Sequence, residues 1–432
     1  MKTKTKKILL LVGILSAFGL LVFYSPIFLG WITHDISPID DSDLLLGKIS
    51  ILEQGNGYFD LVKAVANLKS IIDEHERNLE LFDMVEGKTW DEKLADELLS
   101  QNQATLDHFH AAMQRPAFQN PAFSNPEEIS FKTKSFVNAF SIMDLSKLET
   151  LYLLSLTKKR LHHEAINQSL QLMKFGQKMQ DSVTSLLFYM VGSSLKQQGI
   201  NIIQQTILSN STPVEDLQSY IQSLEPFYDN ERGLINAMKF EYALFKNLFK
   251  NPKNINERNI LIKDNKSFLK KWFKKGDPRS RTIEIGYYFR PNKTLQMKAE
   301  NTRAIIEKIS LPCGDLADIP QPTQKSRVIM YFTENIMGKL MVEMVSLDLV
   351  RHIEKRCEED WLLATTQSLM AIQAYKLEKG DYPKTLEDLS PTYLPHPPID
   401  PYDGQVLKYD LEKKIIYSAS KDKNLKYSFD QL

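Results

Sequence analysis

The sequence predicts a mainly α-helical protein: a transmembrane helix, then an ectodomain of antiparallel helical hairpins, then a small α+β module at the carboxyl end. Three observations predict it. An almost uncharged run from Ile8 to Leu29 follows Lys2, Lys4, Lys6 and Lys7. Apolar residues then recur at three- and four-residue spacing through most of the chain, with only 17 glycines in 432 residues, as packed helices require. Beyond Gly380 the pattern changes to short β-prone runs separated by turn residues.

The apolar run would form a helix of about 33 Å at a rise of about 1.5 Å per residue, enough to span a hydrocarbon core of about 30 Å. Lysines precede it, and Asp35, Asp40, Asp41 and Asp43 follow. The positive-inside bias therefore keeps the amino terminus in the cytoplasm and sends the bulk of the chain across. A cleaved signal peptide is the rival reading. Ala17-Phe18-Gly19 has the small-x-small form of a cleavage site, but Leu20, Leu21, Val22 and Phe23 continue the apolar run where polar sequence should begin. The uncleaved signal-anchor is the better fit. The expected organisation is a basic tail over 1–7, the anchor over 8–29, a stem over 30–57, a helical ectodomain over 58–322, a long helix or helices over 323–379, and the terminal module over 380–432.

Lys plus Arg number 54 and Asp plus Glu number 54, so no global polyanion-binding charge exists and no nucleic-acid partner is expected. The lipid bilayer, met through Ile8 to Leu29, and envelope proteins are the expected partners. Cys313 and Cys357 are the two cysteines, in no CxxC or zinc-ligand spacing. Sequence leaves two states open, a pair in an oxidising compartment or two separate thiols.

Taken in order, Phe59, Val62, Val65, Leu68 and Ile72 mark a first helix, and Leu94, Leu98, Phe109 and Met113 a second pattern that stops at Arg115-Pro116. The Pro- and Asn-rich piece 116–126 is a loop. Helical spacing returns over 131–158, 161–179 and 182–208. Thr212-Pro213-Val214-Glu215 has the hydroxyl, proline and acid of a helix start leading to Leu224. Short joins between successive helices predict antiparallel pairs. A helix from about 294 to 309 follows the turn Arg290-Pro291-Asn292. Residues 338–378 contain no proline or glycine after Gly338 and predict one long helix, either unbroken or kinked or divided near the charged run 354–360. Gly380 then stops it, Leu386 to Leu389 form a short helix, Val406 to Tyr409 and Ile415 to Ser418 form a hairpin, and Lys426 to Phe429 add a third strand.

Candidate chemistry is sparse. His162, His163 and Glu164 are the densest imidazole-and-acid spot and are the candidates for an anchored hydrolase or transferase, whose groups would be gathered from separate helices. His108 and His110, two apart, point about 200° from each other on a helix and cannot readily share a metal. Asp400 and Asp403 are candidate calcium ligands, although calcium needs about six to eight oxygens, and a plain turn closed by Gly404 explains them as well. Lys270, Lys271, Trp272, Lys274 and Lys275 lie in a basic, aromatic stretch over 246–281 suited to a headgroup surface or another polyanion. Asp41-Ser42-Asp43 superficially matches a nucleotide-sugar metal motif, but it lies in the stem and reads as acidic linker. No Walker loop, GxGxxG, GxSxG or Cys-His nucleophile signature occurs, so no cofactor is implied.

The end of the chain resembles the globular half of the major pseudopilin of type II secretion. The likeness covers 361–432 and is carried by a helix, Gly380-Asp381-Tyr382-Pro383, Thr385-Leu386-Glu387-Asp388-Leu389, the turn Asp400-Pro401-Tyr402-Asp403-Gly404 and a sheet ending in Tyr417-Ser418. The amino end lacks the pseudopilin processing motif. Ser420 and Lys423 stand where the family's calcium loop has glycines, and Lys421 adds a further positive charge. The whole chain is also similar to a group of uncharacterised bacterial membrane-anchored proteins, through Leu187 to Val191 with Gly192, Gly233 to Glu241, Arg290-Pro291-Asn292 and Asn335 to Leu340. That likeness implies a bacterial inner-membrane location and this architecture, but no activity; the large surface of packed helices and the pseudopilin-like end predict a binding or assembly role in the envelope. The terminal module alone implies an accessory component of a secretion or pilus-like system.

Overall fold

The computed structural model describes residues 13–16, 19, 34–69, 75–129, 137–208, 212–228, 231–250, 289–318, 334–346, 349–420 and 424–430. It is mainly helical. Twelve helices of ten residues or more are described: α1 Gly57–Asn67, α2 His75–Val85, α3 Glu92–Gln101, α4 Gln103–Gln114, α5 Ala139–Lys158, α6 His162–Asp181, α7 Leu186–Leu208, α8 Val214–Leu224, α9 Glu231–Lys250, α10 Pro291–Ile309, α11 Ile336–Ser346 and α12 Leu349–Lys379. Strands β1 Lys408–Asp410, β2 Ile415–Tyr417 and β3 Lys426–Ser428 make one antiparallel sheet in the order β1-β2-β3. The apolar run 8–29 falls mostly outside the described residues. Residues 13–16 and 19 of it are helical, and no helix among the described residues is long and apolar enough to cross a membrane.

The chain divides into two compact units, each built from separated segments. The larger comprises Leu46–Ala243, Ile305–Ile319 and Val350–Leu432. Its most extensively packed pair is α6 with α7, and small residues make the approach possible. A Cβ on Gly176 would lie 2.5 Å from the carbonyl oxygen of Gly192, and one on Gly192 would lie 2.6 Å from that of Gly176. Below this crossing, Ile166, Leu170, Met173, Ile200 and Ile203 join Leu363, Leu369, Met370 and Ile372 of α12 in one core, which also takes in Leu386, Leu389, Ile416 and Phe429. Each such side chain contributes about 1.5–3 kcal/mol on burial. The terminal module is therefore packed on the helices.

Local signals set the ends of these elements. Asn56 caps α1 by accepting from the Tyr58 amide at 3.1 Å, and also accepts from the Gln119 amide at 2.9 Å, fastening the helix to the loop after α4. Asn102 separates α3 from α4: its Oδ1 accepts from the Lys69 amide and its Nδ2 donates to the Leu98 carbonyl. At the end of α12, Gly380 takes φ +80°, the left-handed stop that favours glycine. Thr385 and Asp388 close a capping box over the 3-10 turn Leu386–Leu389.

In the smaller unit, Met1–Leu45, Leu244–Ala304 and Pro320–Leu349, the acidic stem is docked rather than loose. Asp35 accepts from the amides of Asn292 and Lys293 at 2.7 and 3.2 Å, placing a carboxylate at the start of α10 where the free amides and helix dipole favour it. Asp41 pairs with Lys246 at 2.6 Å and Asp43 with Arg303 at 2.7 Å. Phe245, Leu248 and Val342 form this unit's apolar cluster.

One sequence expectation is corrected and one open alternative is decided. Asp41-Ser42-Asp43 is not bare linker: Ser42–Leu44 is a 3-10 turn whose flanking acids are matched by basic side chains. The long helix does not divide near the charged run, which α12 crosses without a break. Arg356 and Glu359 find partners in Glu231 and Lys196, so the charges bind the helix to its neighbours instead of ending it.

Candidate functional site

Among the described residues, a pocket of about 560 Å³, open to solvent, lies in the larger unit against the middle of α12. It is lined by Tyr228, Glu231, Ser310, Leu311, Pro312, Cys313, Arg356, Asp360 and Pro401. Residues 356 and 360, one turn apart, present their side chains on the same face of α12. Cys313 opens a 3-10 turn and is disulfide-bonded to Cys357, with Cα atoms 5.9 Å apart. Gly314 lets that turn approach the terminal module, because a Cβ there would be 2.1 Å from the Tyr402 carbonyl oxygen. The disulfide thus fixes one wall and the Pro401 turn another.

Arg356 is buried. Its Nη1 donates to Glu231 at 2.7 Å, its Nη2 lies 3.5 Å from the Leu311 carbonyl, and its Nε has no protein partner. Tyr228 donates its hydroxyl to Gln367 Oε1 at 2.7 Å. Burial pushes the Asp360 carboxyl up to about 7, against the pull of Arg356, with Glu359 and Glu231 raising it further and Lys196 opposing. Asp360 Oδ1 is buried and accepts no hydrogen bond from the protein. A carboxyl with that value changes charge near neutrality.

Immediately behind the pocket, Lys196 of α7 and Glu359 of α12 form an ion pair at 2.9 Å, with side chains 0 % and 2 % exposed. Lys196 also donates to Gln177 Oε1 at 2.9 Å and to the Phe227 carbonyl at 3.3 Å, while Glu359 accepts from the Ser193 hydroxyl. Such satisfaction is what allows a charged pair to persist in a core.

The histidine candidates sit elsewhere. His162, His163 and Glu164 are consecutive on the first turn of α6, so they point about 100° apart around the helix and do not converge. His163 bonds to Asn167 at 3.0 Å, and Glu164 lies 3.5 Å from the Tyr152 hydroxyl. The His162 Nδ1 is buried without a partner. What the structure does bring together is His110 of α4 with Glu149 of α5: Nε2 is 2.8 Å from the carboxylate, which is wholly buried and also accepts from Gln168 at 3.1 Å. Burial lowers the imidazole's affinity for a proton, but the hydrogen bond and charge of Glu149, aided by Asp107, raise it by more.

The sign of that shift sets a pH dependence. With the folded value above the unfolded one of about 6.5, the stabilisation is full below that value and is lost as pH rises through the higher folded value. His110→Ala is expected to lower the unfolding free energy by about 1.5–3 kcal/mol below pH ~6 and to flatten its decline toward alkaline pH. Urea denaturation at several pH values reads both effects.

Asp400 is wholly buried. Its carboxylate accepts from the Tyr402 amide at 3.0 Å, the Ser418 hydroxyl at 3.0 Å and the Ala419 amide at 2.6 Å. Asp403 pairs with Lys408 at 2.8 Å and accepts from the Gln405 amide. Both acids are thus engaged by protein donors, and no group of three or more His, Cys, Asp or Glu among the described residues is placed to hold a metal. Asp400→Ala is expected to destabilise the module by about 3 kcal/mol, since charged hydrogen bonds contribute about 1.5–3 kcal/mol each; amide exchange in β2 would report the loss. Lys270, Lys271, Trp272, Lys274 and Lys275 lie outside the described residues.

Arg356, Asp360, Glu359, Lys196 and Glu231 escaped the sequence reading. The available signal was the run 354–360 itself: five charged residues flank Arg356 and Cys357 there, just before an apolar stretch. Comparison with protein-family models, with curated proteins and with solved structures returned no match.

Proposed function

We propose that the chain is a membrane-anchored, extracytoplasmic binding or assembly protein of the bacterial envelope. The observation that carries this reading is the Cys313–Cys357 disulfide, because structural disulfides form and persist in oxidising compartments and are rare in the cytosol. It agrees with the lysine-flanked apolar run over 8–29, and the open pocket beside the disulfide is the surface offered for binding. A second reading, an accessory component of a secretion or pilus-like system, is favoured by the order of elements after α12: glycine stop, short capped helix, Asp-Pro turn and three-stranded sheet.

An alkaline phosphatase fused after Leu432 tests the location, since that reporter is active only when exported. Activity in cells, with the fusion in the membrane fraction, is the expected result. A full-length fusion that accumulates in cells without phosphatase activity would remove the reading.

A further inference from the structure

The charges around the pocket do not cancel. Arg356 is the cation among the lining residues, and it is committed to Glu231. Lys196, the other cation that acts on Asp360, is committed to Glu359. From its own helix Asp360 thus faces Arg356 and Glu359, from α7 Lys196, and from the start of α9 Glu231. Three tyrosines, Tyr189, Tyr228 and Tyr402, also feel its charge. Each cation is matched to a different acid, and Asp360 is the acid left over. One of its oxygens is buried with no donor, as is the Arg356 Nε without an acceptor, an arrangement that costs free energy. The remaining walls are Tyr228, Ser310, Leu311, Pro312, Pro401 and the disulfide, so apolar side chains stand beside polar groups.

A carboxylate that forms no ion pair of its own, at the side of an open pocket of about 560 Å³ with both polar and apolar walls, is complementary to a positive head on an apolar stem. We propose that this pocket binds an organic cation, a primary ammonium or guanidinium group on an aliphatic stem, with Asp360 as its counter-ion. The proposal deepens the binding-protein reading and rests on it. The cation's ammonium or guanidinium protons satisfy the carboxylate, while the stem lies along Leu311, Pro312 and Tyr228. Free of ligand, Asp360 has its carboxyl near 7, so a bound cation favours the ionised form and displaces a proton. Affinity therefore rises with pH: the ionised fraction grows from about 0.1 to about 0.9 between pH ~6 and pH ~8, about a tenfold gain.

The test is calorimetric titration of the full chain in detergent with n-butylammonium, and with butanol and butyrate as matched neutral and anionic probes. Saturable butylammonium binding is expected, about tenfold tighter at pH ~8 than at pH ~6, with neither control binding. Asp360→Asn is expected to weaken butylammonium by about tenfold or more and to abolish its pH dependence. The wild-type pH comparison needs no variant, so it decides the matter even where the substitution harms folding. Absence of saturable binding, equal affinity at the two pH values, or equally tight butyrate would overturn the proposal. Those failures concern the ligand alone; the phosphatase fusion separately decides the location.

Discussion

Lys196→Met is expected to lower the unfolding free energy of the larger unit by about 3–5 kcal/mol, because it strands the Glu359 carboxylate in the core. The side chains of the pair are 0 % and 2 % exposed, so water cannot replace the lost ammonium. Glu359→Leu alone is expected to cost a similar amount by leaving Lys196 uncompensated. The double variant Lys196→Met with Glu359→Leu should recover most of the loss, since a packed apolar pair of similar volume is often neutral or stabilising by about 1–4 kcal/mol. A double-mutant cycle by chemical denaturation separates the pair's coupling from packing. If either single variant were as stable as the parent, the charges would not be confined as the geometry requires. The same cycle bears on the pocket, because Lys196 acts on Asp360.

Loss of the disulfide ranks second. Cys313 and Cys357 are 44 residues apart, and closing a loop of that length restricts the unfolded chain by about 4 kcal/mol in the chain-entropy treatment. Cys313→Ser with Cys357→Ser is expected to destabilise the larger unit by about 2–4 kcal/mol and to loosen the wall formed by Pro312 and Cys313. Both sulfurs belong to buried residues, so the serine variant is a cleaner comparison than reductant added to the folded protein. Unchanged denaturation would mean that the bridge neither constrains the unfolded chain nor supports the pocket.

The helices were legible wherever one face is buried. α8 shows this: Leu217, Tyr220, Ile221 and Leu224 are buried on one side, with Glu215 and Asp216 in the first turn. In the terminal module, turn chemistry carried the reading, with Gly380, Thr385 and Gly404 each stopping or starting an element at its own position. Periodicity weakens where a helix is surrounded. α12 is buried on nearly every side from Leu363 to Ala374, and its Thr366 and Gln367 are satisfied by Gln204, Tyr228 and Glu225 rather than by water. Polar residues there look like an exposed face in sequence and are core in fact.

The site was less legible for a related reason. Histidines draw the eye because their chemistry is local, yet the grouped side chains come from positions far apart in sequence, such as 196 with 359 and 231 with 356. No spacing rule connects them. His110 and Glu149, 39 positions apart, likewise meet only because α4 packs on α5. The disulfide belongs to the same class: two cysteines in sequence imply no distance, and their pairing follows from where α12 and the turn after α10 come together.

The most direct measurement of the proposed extracytoplasmic location and of the disulfide brace is the thiol state of Cys313 and Cys357 in living cells. Cells are quenched in acid, the membrane fraction is denatured, and free thiols are tagged with a maleimide polymer before and after reduction. A chain folded outside the cytosol takes up no tag until reductant is added, and then takes up two. Two tags without reductant, on protein that is folded and membrane-bound, would contradict both the compartment and the braced pocket.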